Sequence, residues 1–351
     1  MASQGYTTVA SRNLIRAAQG MLDHAQPIIV LGDFGEQREM PKKNTDTLVF
    51  RRTLPFGALT AGSGIGSQQY VGTPNIVANN FVLAEGTTPN ANTVSLQDVS
   101  VTLQNYGILF KLTSKMEELY EDDISEEMVK LTGETVGEVL ELVRFGVCKA
   151  GTQVVYANGS SRASVNTPIS IGKLRLASRI LESNRAKRVT DKLSASVNFG
   201  TQPIMPAYLV FHHTDGTADV RNLPDFTKVE AYGTAKPVHP REIGSCEEFR
   251  FIPTPLFVPF AGAGSATTNG MVSVGGANVD VYPYIVVAAS AWGQVALKGM
   301  SAITPTVLKP SDRNHANPLG MFGYVGASTW FNAVRINDAW MLRIEAAVSS
   351  Y

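Results

Sequence analysis

Two histidines and two acids lie close together in the middle of the chain. His212 and His213 are adjacent, and Asp215 and Asp219 follow shortly after them. Imidazole and carboxylate groups bind divalent metals, so this group could form a metal site. However, the histidines end an apolar run typical of a strand, and adjacent strand residues point to opposite faces. The two acids can equally support the start of a helix. We therefore predict strand-end and helix-capping roles here, and no metal.

The other reactive side chains lack the partners that catalysis requires. Cys148 lies in an apolar helical pattern, where a buried thiol behaves as a small apolar side chain. His239 and His315 lie in proline-containing loops without Ser, Cys or Asp at a catalytic spacing. The glycine-rich runs at 62–66 and 262–264 lack the strand–helix context of a phosphate loop. We predict no catalytic residue, no cofactor and no enzyme activity.

The composition favours a protein that makes extensive contacts with other protein surfaces. Its 351 residues include 30 basic and 30 acidic ones, and only 17% of the residues are charged. Soluble proteins carry about 25% charged residues, so much of this surface is uncharged. The zero net charge argues against specific nucleic-acid binding, and no apolar run is long enough to span a membrane. Cys148 and Cys246 have no close cysteine partner, which indicates a reducing compartment.

The longest predicted element is an amphipathic helix over Ser125–Lys149, which we call the spine helix. Apolar residues recur every three or four positions between Leu112 and Ala150. Gly151 follows at the position of a helix stop. A helix of this length spans about 37 Å and contains glycines that weaken it, so it needs tertiary contacts. The apolar positions of this pattern are Met116, Leu119, Ile124, Met128, Leu131, Val136, Val139, Leu140, Val143 and Val147.

Shorter helices and strands alternate irregularly over the rest of the chain. Helices are predicted at Val9–Ala25, Ile171–Ala186 and from Thr214, and Gly32–Lys43 is polar and turn-rich. No internal repeat is visible, so we predict the α+β class. Ala261–Ala277 is predicted as a hairpin tip or flexible loop, and Trp292–Leu297 as a strand continuation or turn. Extended segments are predicted at Pro27–Leu31, Leu48–Arg52, Val99–Leu112, Gln153–Ala157, Ala207–His212, Phe249–Ile252, Leu256–Phe260, Tyr284–Ala289 and within Gly320–Val348.

The segment Thr53–Ala84 contains no charged residue and is rich in Gly, Ser, Thr, Asn and Gln. A disordered linker is one interpretation, but the segment also contains aromatic and large apolar side chains, which such linkers lack. A long excursion of this kind is better explained if it lies on another subunit. We predict inter-subunit contacts for Tyr70, Ile76, Phe81, Val82 and Glu85.

Several short motifs occur in order along nearly the whole chain. They are Leu83–Pro89, Gln104–Gly107, Ala150–Ala157, Leu174–Ala177, Gly200–Ile204, His212–Asp215 with Asp219–Arg221, Val229–Gly233, Glu242–Ser245 and Arg250–Thr254. Together they resemble the major capsid protein of tailed bacteriophages with the Hong Kong 97-type fold, and in particular the coat-protein family of the enquatrovirus-type podophages. The resemblance implies an N-terminal arm at 1–46, an extended loop at 47–110, a peripheral domain on the spine helix at 111–170, an axial domain at 171–299, and C-terminal strands at 300–351 that complete the peripheral domain.

The resemblance also implies function and partners. Such a protein self-assembles as hexamers and pentamers into the icosahedral head that encloses double-stranded DNA, and is built in the host cytoplasm into the virion. Expected partners are a portal protein, a separate scaffolding protein and a cement or decoration protein. DNA contact would be non-specific, through residues such as Arg185, Lys187 and Arg188. No Lys lies between Arg52 and Lys111, so we predict no Lys–Asn cross-link on the extended loop.

Three other interpretations stay open at this stage. An encapsulin-like nanocompartment would share the fold and hold a protein cargo instead of a genome. A metal enzyme would use the two histidines and two acids described first. A decoration or tail protein would share the low charge and the exposed apolar segment.

Overall fold

The computed structural model describes residues 21, 29–43, 45–53, 59–61, 71–74, 78–83, 85–86, 88, 91, 93–94, 96–119, 124–189, 206–232, 237–266, 270–298, 304–311 and 317–351. The chain forms two compact units. The first contains 1–48, 100–146 and 293–334, and the second contains 49–99, 147–292 and 335–351. The predicted helix Val9–Ala25 lies outside the described residues except for Met21. None of the described helices is long and apolar enough to cross a membrane.

Helices and strands are mixed along the chain, which confirms the predicted α+β class. The described helices are α1 (Ser114–Leu119), α2 (Ile124–Lys149), α3 (Ile171–Ser183) and α4 (Thr217–Arg221). The described strands are β1 (Glu36–Met40), β2 (Thr47–Thr53), β3 (Leu59–Ala61), β4 (Val71–Pro74), β5 (Leu96–Thr102), β6 (Gln104–Thr113), β7 (Val154–Tyr156), β8 (Tyr208–His213), β9 (Thr227–Lys228), β10 (Gly244–Cys246), β11 (Phe249–Thr254), β12 (Tyr282–Val287), β13 (Trp292–Leu297), β14 (Thr304–Leu308), β15 (Phe322–Arg335) and β16 (Met341–Ala346).

Helix α2 is the spine helix, and it begins one residue before the predicted start. It buries Val136 and Leu140, as the apolar spacing predicts, and also Phe145, which lies about half a turn around the helix from Val136, whereas Leu131 of the predicted pattern is 45% exposed. After Lys149 the chain turns, and the Gly151 N–H donates to a carbonyl of the last helical turn at 3.3 Å. The prediction of this element is confirmed in both position and length.

A glycine in the spine helix allows the N-terminal arm to pack closely. A Cβ at Gly133 would lie 2.3 Å from the carbonyl oxygen of Met21 and 2.7 Å from its Cα. Both distances are far below van der Waals contact, so no side chain fits at this position. The conformational cost of glycine in a helix is therefore offset by a close backbone approach.

The first unit contains a five-stranded sheet with the order β1-β13-β15-β14, in which β6 also pairs with β15. Strand β1 is parallel to β13, whereas β14 and β6 are antiparallel to β15. The segment Val99–Leu112, predicted as a single strand, is divided into β5 and β6 because β5 pairs with β2 and β6 pairs with β15. Trp292–Leu297 forms a strand of its own.

The region Gly32–Lys43 was predicted to be turn-rich, and this prediction is wrong for its second half. Residues Glu36–Met40 form β1 at the edge of the sheet, where only Met40 is buried. An edge strand can be polar because its side chains face solvent, so the sequence pattern did not reveal it. Leu31, predicted as the end of an extended run, instead begins the 3₁₀ turn Leu31–Asp33.

The second unit contains a seven-stranded sheet with the order β7-β16-β12-β8-β11-β10-β9. Strands β12 and β16 are buried along their whole length, as is β8 except at its last residue. Helix α3 packs on β7 and β16 and buries Leu174, Ala177, Ile180 and Leu181. Sheet and helix together form the main apolar core of this unit.

Two predictions in the second unit need correction or refinement. Leu256–Phe260 was predicted as a strand, but Leu256 ends a turn, the next three residues are irregular, and Phe260 makes an isolated bridge to Val281. Ala261–Ala277 was predicted as a hairpin tip or flexible loop, and its described residues are held by a buried acid. The carboxylate of Asp280 accepts the N–H groups of Gly262 at 2.6 Å and Val274 at 2.9 Å.

Candidate functional site

The two adjacent histidines at the end of β8 pack on two tyrosines that lie two residues apart on β12, so these contacts do not place the rings on opposite faces of the sheet as predicted. His212 is fully buried and stacks on Tyr284, with the ring centroids 5.5 Å apart. His213 packs on Tyr282, and its Nδ1 accepts the N–H of Asp215 at 3.1 Å. Burial lowers the pKa of His212 to about 4. Each imidazole is therefore packed on a tyrosine ring of the neighbouring strand.

The two carboxylates of this group are bound within the chain. Asp215 accepts the hydroxyl of Tyr282 at 2.9 Å. Asp219 accepts the N–H of Ser349 at 2.8 Å and the hydroxyl of Tyr351 at 2.9 Å. Burial and the hydrogen bond to Asp215 raise the pKa of Tyr282. No group of three or more possible metal ligands occurs among the described residues. The cluster holds strand ends and the C-terminal segment together.

A buried charge network anchors the arm to the spine helix. The Glu141 carboxylate accepts the N–H groups of Val30 and Leu31 and pairs with Arg144 at 3.2 Å. Arg144 donates to Gln294 at 2.8 Å, and Gln294 in turn donates to the carbonyl of Gly32 at 2.7 Å. Burial raises the pKa of Glu141, which the bonds from Leu31 and Arg144 partly oppose. These contacts fix the turn Leu31–Asp33 of the arm against α2 and β13.

A second buried network lies at the end of the spine helix in the second unit. Glu345 is fully buried and pairs with Arg162 and Arg343, each at 2.7 Å. Arg343 also donates to the carbonyls of Lys149 and Gly151, where the helix leaves acceptors without helical partners. The sequence reasoning missed both networks, because their members are distant in sequence.

The basic residues predicted for DNA contact differ in whether they are exposed or paired with acidic side chains. Arg185 and Lys187 are exposed after α3. Arg188 instead bridges Glu182 at 2.7 Å and Glu248 at 2.5 Å. Its charge is therefore largely compensated within the chain, which leaves the other two as the candidates for phosphate contact.

The residues predicted for inter-subunit contacts divide into two groups. Tyr70 and Ile76 lie outside the described residues. Phe81 and Val82 are 48% and 72% exposed, and Glu85 is exposed as well. Leu83, which was not singled out from the sequence, is 72% exposed. Three consecutive large apolar side chains therefore face solvent in the single chain.

Four further exposed apolar side chains lie in the first unit, two on α1 and two on the turn before β15, and we call these four residues the apolar patch. They are Met116, Leu119, Leu319 and Met321, which are 43%, 74%, 77% and 59% exposed. Met116 and Leu119 continue the apolar spacing of the spine helix but belong to the separate helix α1, in which no residue is buried. The expectation that these two residues lie on a buried face is wrong for the single chain.

Comparisons with known proteins identify the fold. No family model matches the chain, and no curated protein sequence matches it. Solved structures do match, among them the capsid of Ralstonia phage GP4, with a TM-score of 0.59, 10% identity, and coverage of 89% of this chain and 87% of that chain. The capsid of cyanophage Pam1 has a TM-score of 0.56 at 11% identity, covering 88% of this chain and 87% of that chain. The head structure of Helicobacter pylori bacteriophage KHP40 has a TM-score of 0.54 at 14% identity, covering 89% and 87%.

These likenesses extend over nearly the whole chain, and they show that it has the fold of phage capsid proteins. Such proteins are structural components rather than enzymes. The bound state of both acids near His212 agrees with a structural role for the most reactive group in the sequence.

Proposed function

We propose that the chain is the major capsid protein of a tailed bacteriophage, with a Hong Kong 97-type fold of the kind found in enquatrovirus-type podophages. The observation that carries this proposal is the capsid fold over about nine-tenths of the chain, with TM-scores of 0.54 to 0.59. Low charge and exposed apolar side chains support it, because a shell subunit is covered by its neighbours on several sides.

In this proposal the protein self-assembles as hexamers and pentamers into an icosahedral head around double-stranded DNA. It is assembled in the host cytoplasm and remains in the virion, with a portal protein, a separate scaffolding protein and a cement protein as partners. Arg185 and Lys187 are the basic side chains best placed to contact DNA without sequence specificity. No Lys–Asn cross-link forms on the extended loop in this proposal, because that loop carries no Lys.

The proposed regions follow the strand pairing. The arm is 1–46 and the extended loop spans about 47–110. Pairing of β6 with β15 supports a peripheral domain that combines residues after 110 with part of 300–351. Pairing of β16 with β12 and β7 supports assigning 341–346 to the axial domain, rather than to the peripheral domain as first predicted. The division into two compact units supports the same boundary near residue 335.

Electron microscopy of the expressed protein tests the proposal. The chain is produced alone and together with the products of its neighbouring genes, and sedimentation separates particles from free subunits. Closed shells, hexamers or pentamers in either sample are expected. A small uniform shell that captures a protein cargo and no DNA would favour an encapsulin-like compartment. A soluble monomer in both samples would overturn the proposal.

A further inference from the structure

Three cationic side chains surround the Phe260 ring at the end of the spine helix, within the second unit. The Arg162 guanidinium carbon lies 3.5 Å from the ring centroid, the Lys149 Nζ lies 3.9 Å from it, and the Arg343 guanidinium carbon lies 6.0 Å from it. Each cation is close enough to be attracted by the ring. The cations repel one another at such short distances, so the cluster concentrates positive charge at one place.

The carboxylate of Glu345 balances only part of this charge. It pairs with both Arg162 and Arg343, each at 2.7 Å, so one negative charge is shared by two positive ones. The end of the helix adds about half a negative charge. Burial and the charges of both arginines lower the pKa of Lys149, and the opposing effect of Glu345 is smaller. The electrostatic potential that this network creates at the Lys149 amine is therefore positive.

Both arginines retain a nitrogen that can donate to a further acceptor. Arg162 uses its Nε and Nη2 on Glu345. Arg343 uses its Nε on Glu345 and its Nη1 on the carbonyls of Lys149 and Gly151. Within the described part of the chain, Arg162 Nη1 and Arg343 Nη2 make no hydrogen bond. A guanidinium with such N–H groups is well suited to bind the oxygens of an anion.

The backbone that carries these side chains is held by hydrogen bonds. Phe260 exchanges two backbone bonds with Val281, at 2.8 and 3.1 Å. Arg162 begins a 3₁₀ turn that ends at Ser164, whose hydroxyl donates to a carbonyl at the start of the turn at 2.7 Å. Arg343 lies in β16, between β7 and β12 in the sheet. Groups that are fixed in advance lose little conformational freedom when a ligand binds.

We propose that this cluster is a phosphate-binding site, in which Arg162 and Lys149 contact the ligand and Phe260 holds the two cations in place. The Arg162 side chain is 33% exposed and Lys149 is half-buried, so a ligand can reach both from solvent. A phosphate group presents oxygens in several directions and can accept from both side chains at once. Free phosphate and the backbone of DNA both supply this group. The inference goes beyond the proposed function and does not depend on it.

Phosphate titration of the unassembled full chain tests this site. Isothermal titration calorimetry measures binding of inorganic phosphate at constant ionic strength, with chloride as the balancing anion, and saturable binding is expected. Lys149→Gln removes one cation and is expected to raise the Kd at least about tenfold, because a hydrogen bond between charged groups is lost. Lys149→Arg keeps the charge and is expected to retain most of the affinity. Lys130→Gln, at a lysine earlier on the same helix, is the matched control and should bind as wild type does.

Amine acetylation of the wild-type chain gives a second measurement that needs no substitution. Acetic anhydride modifies unprotonated amines, and mass spectrometry of peptides reports the extent at each lysine. Bound phosphate would cover the Lys149 amine and favour its protonated form, so phosphate is expected to slow acetylation there by at least about threefold. Acetylation of Lys130 should be unaffected.

A parallel titration with a DNA duplex identifies the source of the phosphate group. Weaker duplex binding by Lys149→Gln would identify DNA as a source, whereas unchanged or absent duplex binding would identify free phosphate, and both results support the site. Absence of saturable phosphate binding, or equal phosphate affinity of Lys149→Gln and Lys130→Gln, would overturn the inference. Equal acetylation of Lys149 with and without phosphate would overturn it as well. The chain is unassembled throughout, so these results leave the capsid proposal unaffected.

Discussion

His212 and Tyr284 lie on neighbouring strands and stack with their ring centroids 5.5 Å apart and their planes at 21°. Both residues are fully buried. His212 Nε2 and the Tyr284 hydroxyl are buried polar atoms without a hydrogen-bond partner, whereas His212 Nδ1 contacts the His213 carbonyl at 2.7 Å. An imidazolium would carry an additional N–H without an acceptor at this buried position. The neutral imidazole is therefore much more stable here than the charged form.

The buried imidazole predicts a specific loss of stability in acid. Burial lowers the His212 pKa from the ordinary 6.5 to about 4. The unfolded chain therefore binds this proton at a higher pH than the folded chain, and stability is lost as the pH falls from 6.5 towards 4. The full loss of unfolding free energy is about 3 kcal/mol, since a shift of one pKa unit corresponds to about 1.4 kcal/mol. Urea unfolding of the unassembled chain between pH 8 and pH 4 measures it.

A non-titrating ring at position 212 isolates this contribution. His212→Phe keeps an aromatic side chain beside Tyr284 and Phe251. The variant is expected to lose less stability than wild type between pH 6.5 and 4, whatever its stability at pH 8. Equal slopes for the two proteins over that interval would show that His212 does not carry the acid sensitivity.

Two glycines of the spine helix predict opposite effects of the same substitution. Gly133→Ala places a Cβ 2.3 Å from the Met21 carbonyl oxygen, and this overpacking is expected to cost at least about 2 kcal/mol. Gly146 is exposed, and a Cβ there meets nothing within 4 Å. Gly146→Ala is therefore expected to stabilise the chain by up to about 1 kcal/mol through helix propensity. Denaturant midpoints of the two variants, measured side by side, must move in opposite directions.

Local patterns predicted the elements that bury one regular face. The spine helix, α3 and the apolar strands β8, β11 and β12 repeat their apolar residues at helical or strand spacing, so their positions follow from the sequence alone. Strand β1 was missed because it is mostly polar and its partner β13 is more than 200 residues away in the sequence. Leu256–Phe260 was assigned to a strand because it is apolar, but its strand pairing is limited to the isolated bridge at Phe260.

The candidate contact surfaces were predictable only in part. Phe81 and Val82 were predicted as contact residues because large apolar side chains in a long, charge-free segment are better explained if another surface covers them. Leu319 and Met321 carry no such signal, since isolated apolar residues between turn residues are common. Their fixed, exposed position depends on the hydrogen bonds of Asn317 in the turn and on the bond between α1 and Met321. Both are tertiary contacts, which the local sequence does not reveal.

The anchor between the arm and the spine helix predicts a large cost for losing one carboxylate. Glu141→Ala removes the carboxylate that accepts the N–H groups of Val30 and Leu31 and that pairs with the buried Arg144. The expected loss is about 3 to 5 kcal/mol of unfolding free energy. Glu138→Ala, at an exposed acid one turn earlier on the same helix, is the matched control and should change stability by less than about 0.5 kcal/mol. Similar stability of both variants would show that the carboxylate does not anchor the arm.

The apolar patch predicts a variant that folds normally but assembles poorly. Leu319 is 77% exposed, so Leu319→Ser removes little buried area and should change the unfolding free energy by less than about 0.5 kcal/mol. If a neighbouring subunit covers this side chain in the proposed shell, its loss is repeated at every contact, and we expect the particle yield to fall severalfold. Val274 is 81% exposed in the second unit and lies outside the patch, which makes Val274→Ser the matched control. If sedimentation shows equal particle yields for the two variants, exposure alone does not mark an interface, and Leu319 would be an ordinary surface residue.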